Sequence, residues 1–198
     1  MYTHAIILDF EATCQDGPRI SPQEIIEFPS VLVSLERREV IDEFQSFVRP
    51  IHHPRLTDFC KKLTSIQQED VDKAELFPDV FQKHLAWLKS HDLTENNAFI
   101  VTCGDWDLKS GFPAQCSHSE PVIEVVPPIY QQWHNVKHSF CDAQGVEKAP
   151  GMRGMLKALE LPLVGWHHRG IDDCRNIARI FLKLMEKGIS PEISSVSG

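Results

Sequence analysis

No stretch of this chain approaches the run of about 20 apolar residues that spans a bilayer. Its first residues, Met1-Tyr2-Thr3-His4, lack the basic and apolar regions of a secretory leader. The expectation from these absences is a soluble, intracellular protein, cytoplasmic or nuclear, with no membrane partner. No C-x-x-C pair occurs among the 6 cysteines (Cys14, Cys60, Cys103, Cys116, Cys141, Cys174), which argues against a zinc or redox motif and for reduced, mostly buried thiols. Positive charge is scarce as well. With 20 Lys and Arg against 28 Asp and Glu, the formal net charge is −8, which argues against a protein that grips duplex DNA by bulk positive charge. Phosphate chemistry is still open to such a chain, because acids that bind divalent cations count as negative here while the bound metals attract phosphate. There is no internal repeat and no low-complexity tract.

What is present suits one globular domain: 198 residues, 42% hydrophobic and 24% charged, suffice for a substantial core. His4 to Asp9 (HAIILD) is short, aliphatic and ends in an acid, the pattern of a buried central strand that delivers Asp9 at its C-terminal end. Glu24 to Leu35 and Val40 to Arg49 are rich in β-formers around the polar Glu36-Arg37-Arg38-Glu39 and predict a hairpin beside that strand. Pro29 inside the first of these runs predicts an edge strand or a bulge. Pro54 to Leu63 can form a short helix, and Thr64 to Asp70 reads as a cap followed by another turn. Pro78 to Ser90 is amphipathic, with Val80, Phe81, Leu85 and Leu88 on one side. Phe99 to Cys103 (FIVTC) is a second aliphatic strand that ends just before acids. Gly151 to Leu161 and Asp172 to Lys187 have helical periodicity, the latter with an apolar stripe of Ile177, Ile180, Phe181 and Leu184. The domain is expected to cover 1–189, and Ser190 to Gly198, small and polar, to fray.

Three clusters carry the chemistry. Asp9 and Glu11, two apart, share one face if strand geometry continues, and two carboxylates at a strand end suit a hard cation such as Mg²⁺ or Mn²⁺. An isolated acid-x-acid pair is more often solvated surface. Asp105 and Asp107, in Gly104-Asp105-Trp106-Asp107 after FIVTC, compete for a third acidic position; Asp105 better fits an N-cap. In His167-His168-Arg169-Gly170-Ile171-Asp172-Asp173, a glycine-containing loop runs into a helix, so a histidine and an aspartate can meet across its N-terminus. A histidine near neutrality can take a proton from metal-bound water while the aspartate completes the metal shell; the plainer alternative is an N-cap Asp172 beside a structural histidine. Strand-end acids together with a helix-start His/Asp pair are what a two-metal phosphoryl-transfer site requires.

With these clusters in order, the chain resembles the DEDDh superfamily of 3′-to-5′ exonucleases, in particular its ERI-1-like exoribonuclease branch. The matching segments are ILDFEATC (Ile7 to Cys14), PQEIIEFP (Pro22 to Pro29), TCGDWDL (Thr102 to Leu108) and HRGIDDCRNIARI (His168 to Ile180), and the resemblance runs from about His4 to Gly188. It implies that Asp9, Glu11, Asp107 and Asp173 are the metal ligands. In the family the histidine lies five positions before the metal-binding aspartate, and the resemblance places His168 with Asp173 there, in preference to the equally spaced His167 with Asp172. Thr102-Cys103-Gly104-Asp105 stands where many members have an asparagine before the aromatic-Asp pair, a departure that leaves the implied metal site intact but does not carry the family's substrate contacts over to Gly104.

The implied fold is α/β of the RNase H-like type, a mixed, roughly five-stranded sheet with an antiparallel hairpin and helices on both faces, HAIILD lying centrally next to FIVTC. The implied activity is in-line hydrolysis of single-stranded nucleic acid from its 3′ end, with two Mg²⁺ (Mn²⁺ can substitute), His168 as general base and nucleoside 5′-monophosphates as products. RNA is the expected substrate; a DNA-preferring exonuclease, or a non-catalytic RNA- or protein-binding module on the same fold, is the alternative. Phe10, Ala12 and Trp106 are candidates to line the terminal-nucleotide pocket, with a core position an equal reading for Phe10. Lys61-Lys62, Lys137-His138 and Arg153 with Lys157 are candidate phosphate contacts. Because the chain begins almost at the first strand, a protein partner for substrate targeting is also expected.

Overall fold

The computed structural model describes residues 1–195. Its sheet is built from β1 (His4–Leu8), β2 (Glu11–Ala12), β3 (Ile25–Ser34), β4 (Glu39–Phe47), β5 (Ala98–Thr102), β6 (Gln132–Asn135) and β7 (Ser194–Ser195). Central β1 is antiparallel to β3, with Ile6 opposite Leu32, and parallel to β5, with Ile6 opposite Ile100. Parallel β6 and then antiparallel β7 extend the sheet beyond β5, and β4 lies outside β3. Two very short strands, β2 and β7, thus bring the expected five to seven.

Alternation along the strands sends side chains into two cores. Ile6, Leu8 and Ile100 pack with Phe77, Phe81 and Phe112 on one face, whereas Ala5, Ile7 and Val101 pack with Ile177 and Phe181 on the other. Helices α1 (Asp58–Thr64), α2 (Gln68–Asp72), α3 (Phe77–Ser90), α4 (Phe112–His118), α5 (Val136–Gln144), α6 (Met152–Ala158) and α7 (Gly170–Glu186) supply these layers. The expected stripe of α7, Ile177, Ile180, Phe181 and Leu184, is buried against the sheet. The elements α4, β6 and α5 are absent from the sequence-based expectation.

Pro29 does not mark an edge: β3 is an interior strand. Pairing of β3 with β1 ends at Leu8 opposite Ser30, and pairing with β2 begins at Glu11 opposite Glu27, so Pro29 faces the interruption at Asp9-Phe10, where the ladder needs no amide from it. The register shift between Glu11, opposite Glu27, and Ala12, opposite Ile25, leaves Ile26 as the extra residue, so a bulge does lie in β3, three positions before Pro29. Thr64 does not cap α2 either. It ends α1, its hydroxyl donating to Cys60 O (2.9 Å), and the Asp70 carboxylate instead receives the Gln67 N–H (2.9 Å). Of the tail expected to fray, Ser194–Ser195 pairs with β6 and the Glu192 carbonyl accepts from His134 Nδ1–H at 2.8 Å; residues 196–198 lie outside the described part. All six cysteines are free thiols. No helix among the described residues is long and apolar enough to cross a membrane.

Candidate active site

Strand β1 ends at Leu8, and the next residues carry the first two acids of the site. Asp9 and Glu11 point to one side, while Phe10 between them turns into the core, 6% exposed, stacked on Phe112 and edge-on to Phe28. Phe10 is therefore a core residue and not a pocket wall. Its backbone contributes to the site instead: Phe10 N–H donates to Asp107 Oδ1 at 2.9 Å, tying the end of β1 to the turn that follows β5. Asp107 opens a π-helical turn (Asp107–Gly111) running into α4 and is 5% exposed. Its rival Asp105 caps nothing with its side chain; Oδ1 accepts from Trp133 Nε1 (3.1 Å) and Asn135 Nδ2 (3.2 Å), fastening the loop to β6.

The fourth acid arrives on the first turn of α7. One carboxylate oxygen each of Asp9, Glu11 and Asp173 lies within 4.8 Å of the others, and Asp107 stands beside this triplet, held by the Phe10 amide. His168 N–H donates to Asp173 Oδ2 (2.8 Å), and His167 Nδ1 lies 3.2 Å from both Asp173 oxygens. The two imidazoles stack at 3.8 Å, and His168 holds a left-handed backbone at φ 70°. Thus the side chain in direct contact with the acid is His167, while a ring nitrogen of the half-buried His168 lies within 4.8 Å of an Asp173 carboxylate oxygen and of a His167 nitrogen. Asp172 neither joins the cluster nor caps the helix, because it accepts from Trp166 N–H (2.9 Å) and pairs with Arg175 (3.0 Å).

What locks α7 in place is an acid to which the sequence alone assigned no role. Glu27, fully buried in β3, accepts the N–H groups of Gly170 (2.9 Å) and Ile171 (3.3 Å), so a negative charge meets the positive end of the helix. Gln45 Nε2 donates to it (2.7 Å), and Arg169, stacked 4.7 Å over Phe47, lies 3.5 Å away. Gly170 has no room for a side chain, since a Cβ would come within 2.9 Å of Asp9 O and of Pro29 Cγ. The available signal was the carboxylate itself, placed inside the apolar run IIEFPSVLV.

Burial and mutual repulsion dominate the electrostatics. Asp9 is pushed well above the usual carboxylate range by burial, then by Asp107, Asp173 and Glu27; Glu11 is raised by burial, then by Asp9 and Asp173. Burial lifts Asp107 to about 7 against the Phe10 hydrogen bond, and raises Asp173 against those from His167 and His168. Lys137, whose Nζ lies 3.8 Å from where a Gly104 Cβ would stand, opposes the rise at Asp9 and Asp107. Burial, His167 and Arg153 hold His168 below the ordinary imidazole value, so it is neutral at pH 7. Four carboxylates that disfavour their own ionisation offer hard oxygen donors, with the His167 and His168 ring nitrogens beside Asp173, and fit divalent cations that relieve the repulsion.

The remaining candidates separate by position. Lys62 and Arg153 line a groove of about 560 Å³ that also contains His167 and His168, whereas Lys61 is paired with Asp58 (2.7 Å) and Lys157 lines a different depression. Trp106 packs over Gly111 and walls a separate cleft of about 270 Å³ with Arg19, Gln23 and His118. Ala12 is 8% exposed and pairs with Ile25. His138 is exposed on α5.

A family model described as exonuclease (RNase_T) matches residues 6–181. ERI1 exoribonuclease 3 of Homo sapiens is 40% identical over 190 residues, covering 94% of this chain and 55% of the relative, so the chain spans about half the length of that relative. Among solved structures, the nuclease domain of 3′hExo, a DEDDh family member bound to rAMP, superposes with a TM-score of 0.89 at 34% identity, covering 98% of this chain and 97% of the other. A 3′-exonuclease that recognises the 3′ end of a histone mRNA stem-loop gives 0.88 at 32% identity, covering 100% and 92%.

Proposed function

Because the chain belongs to the RNase_T exonuclease family, within its ERI-1-like DEDDh branch and with its RNase H-like fold, we propose that it hydrolyses single-stranded RNA from the 3′ end. The observation that carries this reading is the meeting of Asp9, Glu11 and Asp173 within 4.8 Å, with Asp107 beside them and a neutral, half-buried His168 whose ring nitrogen lies within 4.8 Å of Asp173 at the groove. Divalent metal ions serve DEDDh exonucleases, and the proposed set here is two Mg²⁺, replaceable by Mn²⁺, held by Asp9, Glu11, Asp107 and Asp173. When bound, they would supply Lewis-acid stabilisation of charge on the transferring phosphoryl group.

The protein's own part is proton transfer and positioning. His168 accepts a proton from the attacking water through its free ring nitrogen, and its depressed pKa keeps it a competent base at neutral pH. The new bond joins the water oxygen to phosphorus, and the bond that breaks joins phosphorus to the 3′ oxygen of the preceding nucleotide. The departing 3′ oxygen takes a proton from solvent, and the products are a nucleoside 5′-monophosphate and a strand one residue shorter with a 3′-hydroxyl. Asp173 keeps the His167-His168 turn in place through two contacts, and Glu27 keeps Asp173 in place through α7.

RNA is the proposed substrate because the similar proteins include one bound to rAMP and one that recognises an mRNA stem-loop. A protein partner that delivers a particular RNA is part of the same proposal, since stacking and phosphate contacts do not choose among sequences. The test is mononucleotide release from matched 3′-hydroxyl RNA and DNA strands with Mg²⁺. Full activity in Asp9→Ala or His168→Ala would overturn the assignment of the site, and equal rates on RNA and DNA would overturn the preference.

A further inference from the structure

The groove in front of His168 contains two aromatic side chains that hydrolysis leaves without a role. Trp166 is 56% exposed and Phe59 41% exposed. An indole left in water forgoes the stabilisation that burial of a large apolar side chain brings, yet this one is held firmly at both ends. Its Nε1–H donates to Leu63 O (3.2 Å), and its backbone N–H donates to Asp172 Oδ2 (2.9 Å). The loop leading to it is fixed as well. Asn176 bonds both the N–H (3.1 Å) and the carbonyl (2.7 Å) of Val164, and Arg179 donates to Pro162 O (2.7 Å). Gly165 lies at φ 76°, where any Cβ would stand 2.4 Å from the Asp172 carboxyl carbon, so the tight path into Trp166 requires glycine.

A flat apolar ring, exposed but immobilised, is a preorganised binding surface whose ordering cost has been met on folding. The cations on this groove are Lys62 and Arg153, in a chain whose formal net charge is −8. The groove shares His167 and His168 with the hydrolytic site, so a strand with its scissile phosphate at the acids passes into it within a few nucleotides. We propose that Trp166 and Phe59 form a stacking platform for an unpaired base 5′ of the terminal nucleotide, with Lys62 and Arg153 meeting the flanking phosphates. The assignment rests on the exonuclease reading above and adds a subsite to it.

The experiment is an abasic scan. Single-stranded 3′-hydroxyl oligoribonucleotides carry one abasic residue at each of the first few positions from the 3′ end, and KM and kcat for release of the first nucleotide are measured. Wild-type protein should show one position 5′ of the terminus at which loss of the base raises KM about 10-fold, the factor for one base stacked on an aromatic ring. Trp166→Ala should raise KM on the intact strand by a similar factor and become insensitive to that abasic position, while Trp166→Phe should keep most of the sensitivity. Phe59→Ala, at a half-exposed position, should reduce the same sensitivity and serves as an independent variant. The subsite is overturned if Trp166→Ala remains as sensitive as wild type, if coupling occurs only at the terminal base, or if Trp166→Ala lowers kcat alike on all strands, as a structural role would. Failure of the wild type to release a mononucleotide from any strand would instead refute the exonuclease reading.

Discussion

His168 and Asp107 show how single residues are set for chemistry at a cost to the fold. His168 is kept neutral by burial, His167 and Arg153, so the proposed role as base should persist to a lower pH than a free imidazole would allow and fail as acidification protonates it. With saturating metal, His168→Ala should lower kcat about 10²- to 10⁴-fold, the usual contribution of a general base, as read by mononucleotide release. Asp107 has the opposite character. Its folded pKa of about 7 lies above the ordinary 3.8, so its share of stability is fully present below pH 3.8 and is lost as pH rises through about 7. Removing the charge should therefore stabilise the metal-free protein. Asp107→Asn, which can still accept the Phe10 amide, should gain about 1–3 kcal/mol at pH 8 by urea denaturation in chelator and nothing at pH 4, while activity is abolished. A variant less stable than wild type at pH 8 would contradict this account.

At the scale of elements, the junction of α7 with β3 positions the site. The helix N-terminus presents its amides to buried Glu27, and Gly170 lets the backbone approach Asp9. Glu27→Ala would leave two buried amides and the largely buried Arg169 without their carboxylate, and should cost about 3–5 kcal/mol in urea unfolding. Gly170→Ala should cost less, about 1–3 kcal/mol, because β3 and α7 can separate slightly. It should nonetheless depress kcat at temperatures where the variant is fully folded, because the displaced helix carries Asp173 away from Asp9; normal turnover in folded Gly170→Ala would show that the close approach does not matter to the site. The sequence made α7 legible through Ile177, Ile180, Phe181 and Leu184, but not this contact, because a buried acid in a strand does not name its distant partner.

For the whole molecule, the acidic cluster links folding, pH and metal. Asp9, Glu11, Asp107 and Asp173 all ionise reluctantly in the folded chain, so each contributes stability at low pH that disappears as pH rises past its folded value. Metal-free protein should thus lose thermal stability from about pH 4 toward pH 8, and Mg²⁺ should restore more at pH 8 than at pH 5, where protons compete for the same oxygens. At a concentration of about 100 times its Kd, the metal should stabilise by about 2.7 kcal/mol. Equal Mg²⁺ effects on Tm at both pH values would contradict the linkage.

The sequence by itself determined the elements with strong local patterns: the aliphatic strands ending at Asp9 and before Asp107, the hairpin, α3 and α7. It also delimited the acids and histidines from which a metal site could be drawn, since chemistry follows residue type and position at strand or helix ends. Tertiary structure decided what depends on partners far along the chain. It sent Phe10 into the core, because alternation at the end of β1 turns that ring away from the acids and toward Phe28 and Phe112. It made Pro29 tolerable in an interior strand by placing the break between β1 and β2 opposite it. It gave Asp105 to Trp133 and Asn135 and Asp172 to Trp166 and Arg175, leaving Asp107 and Asp173 for the site. Such choices turn on which groups compete for one carboxylate, and that competition exists only once the chain has folded.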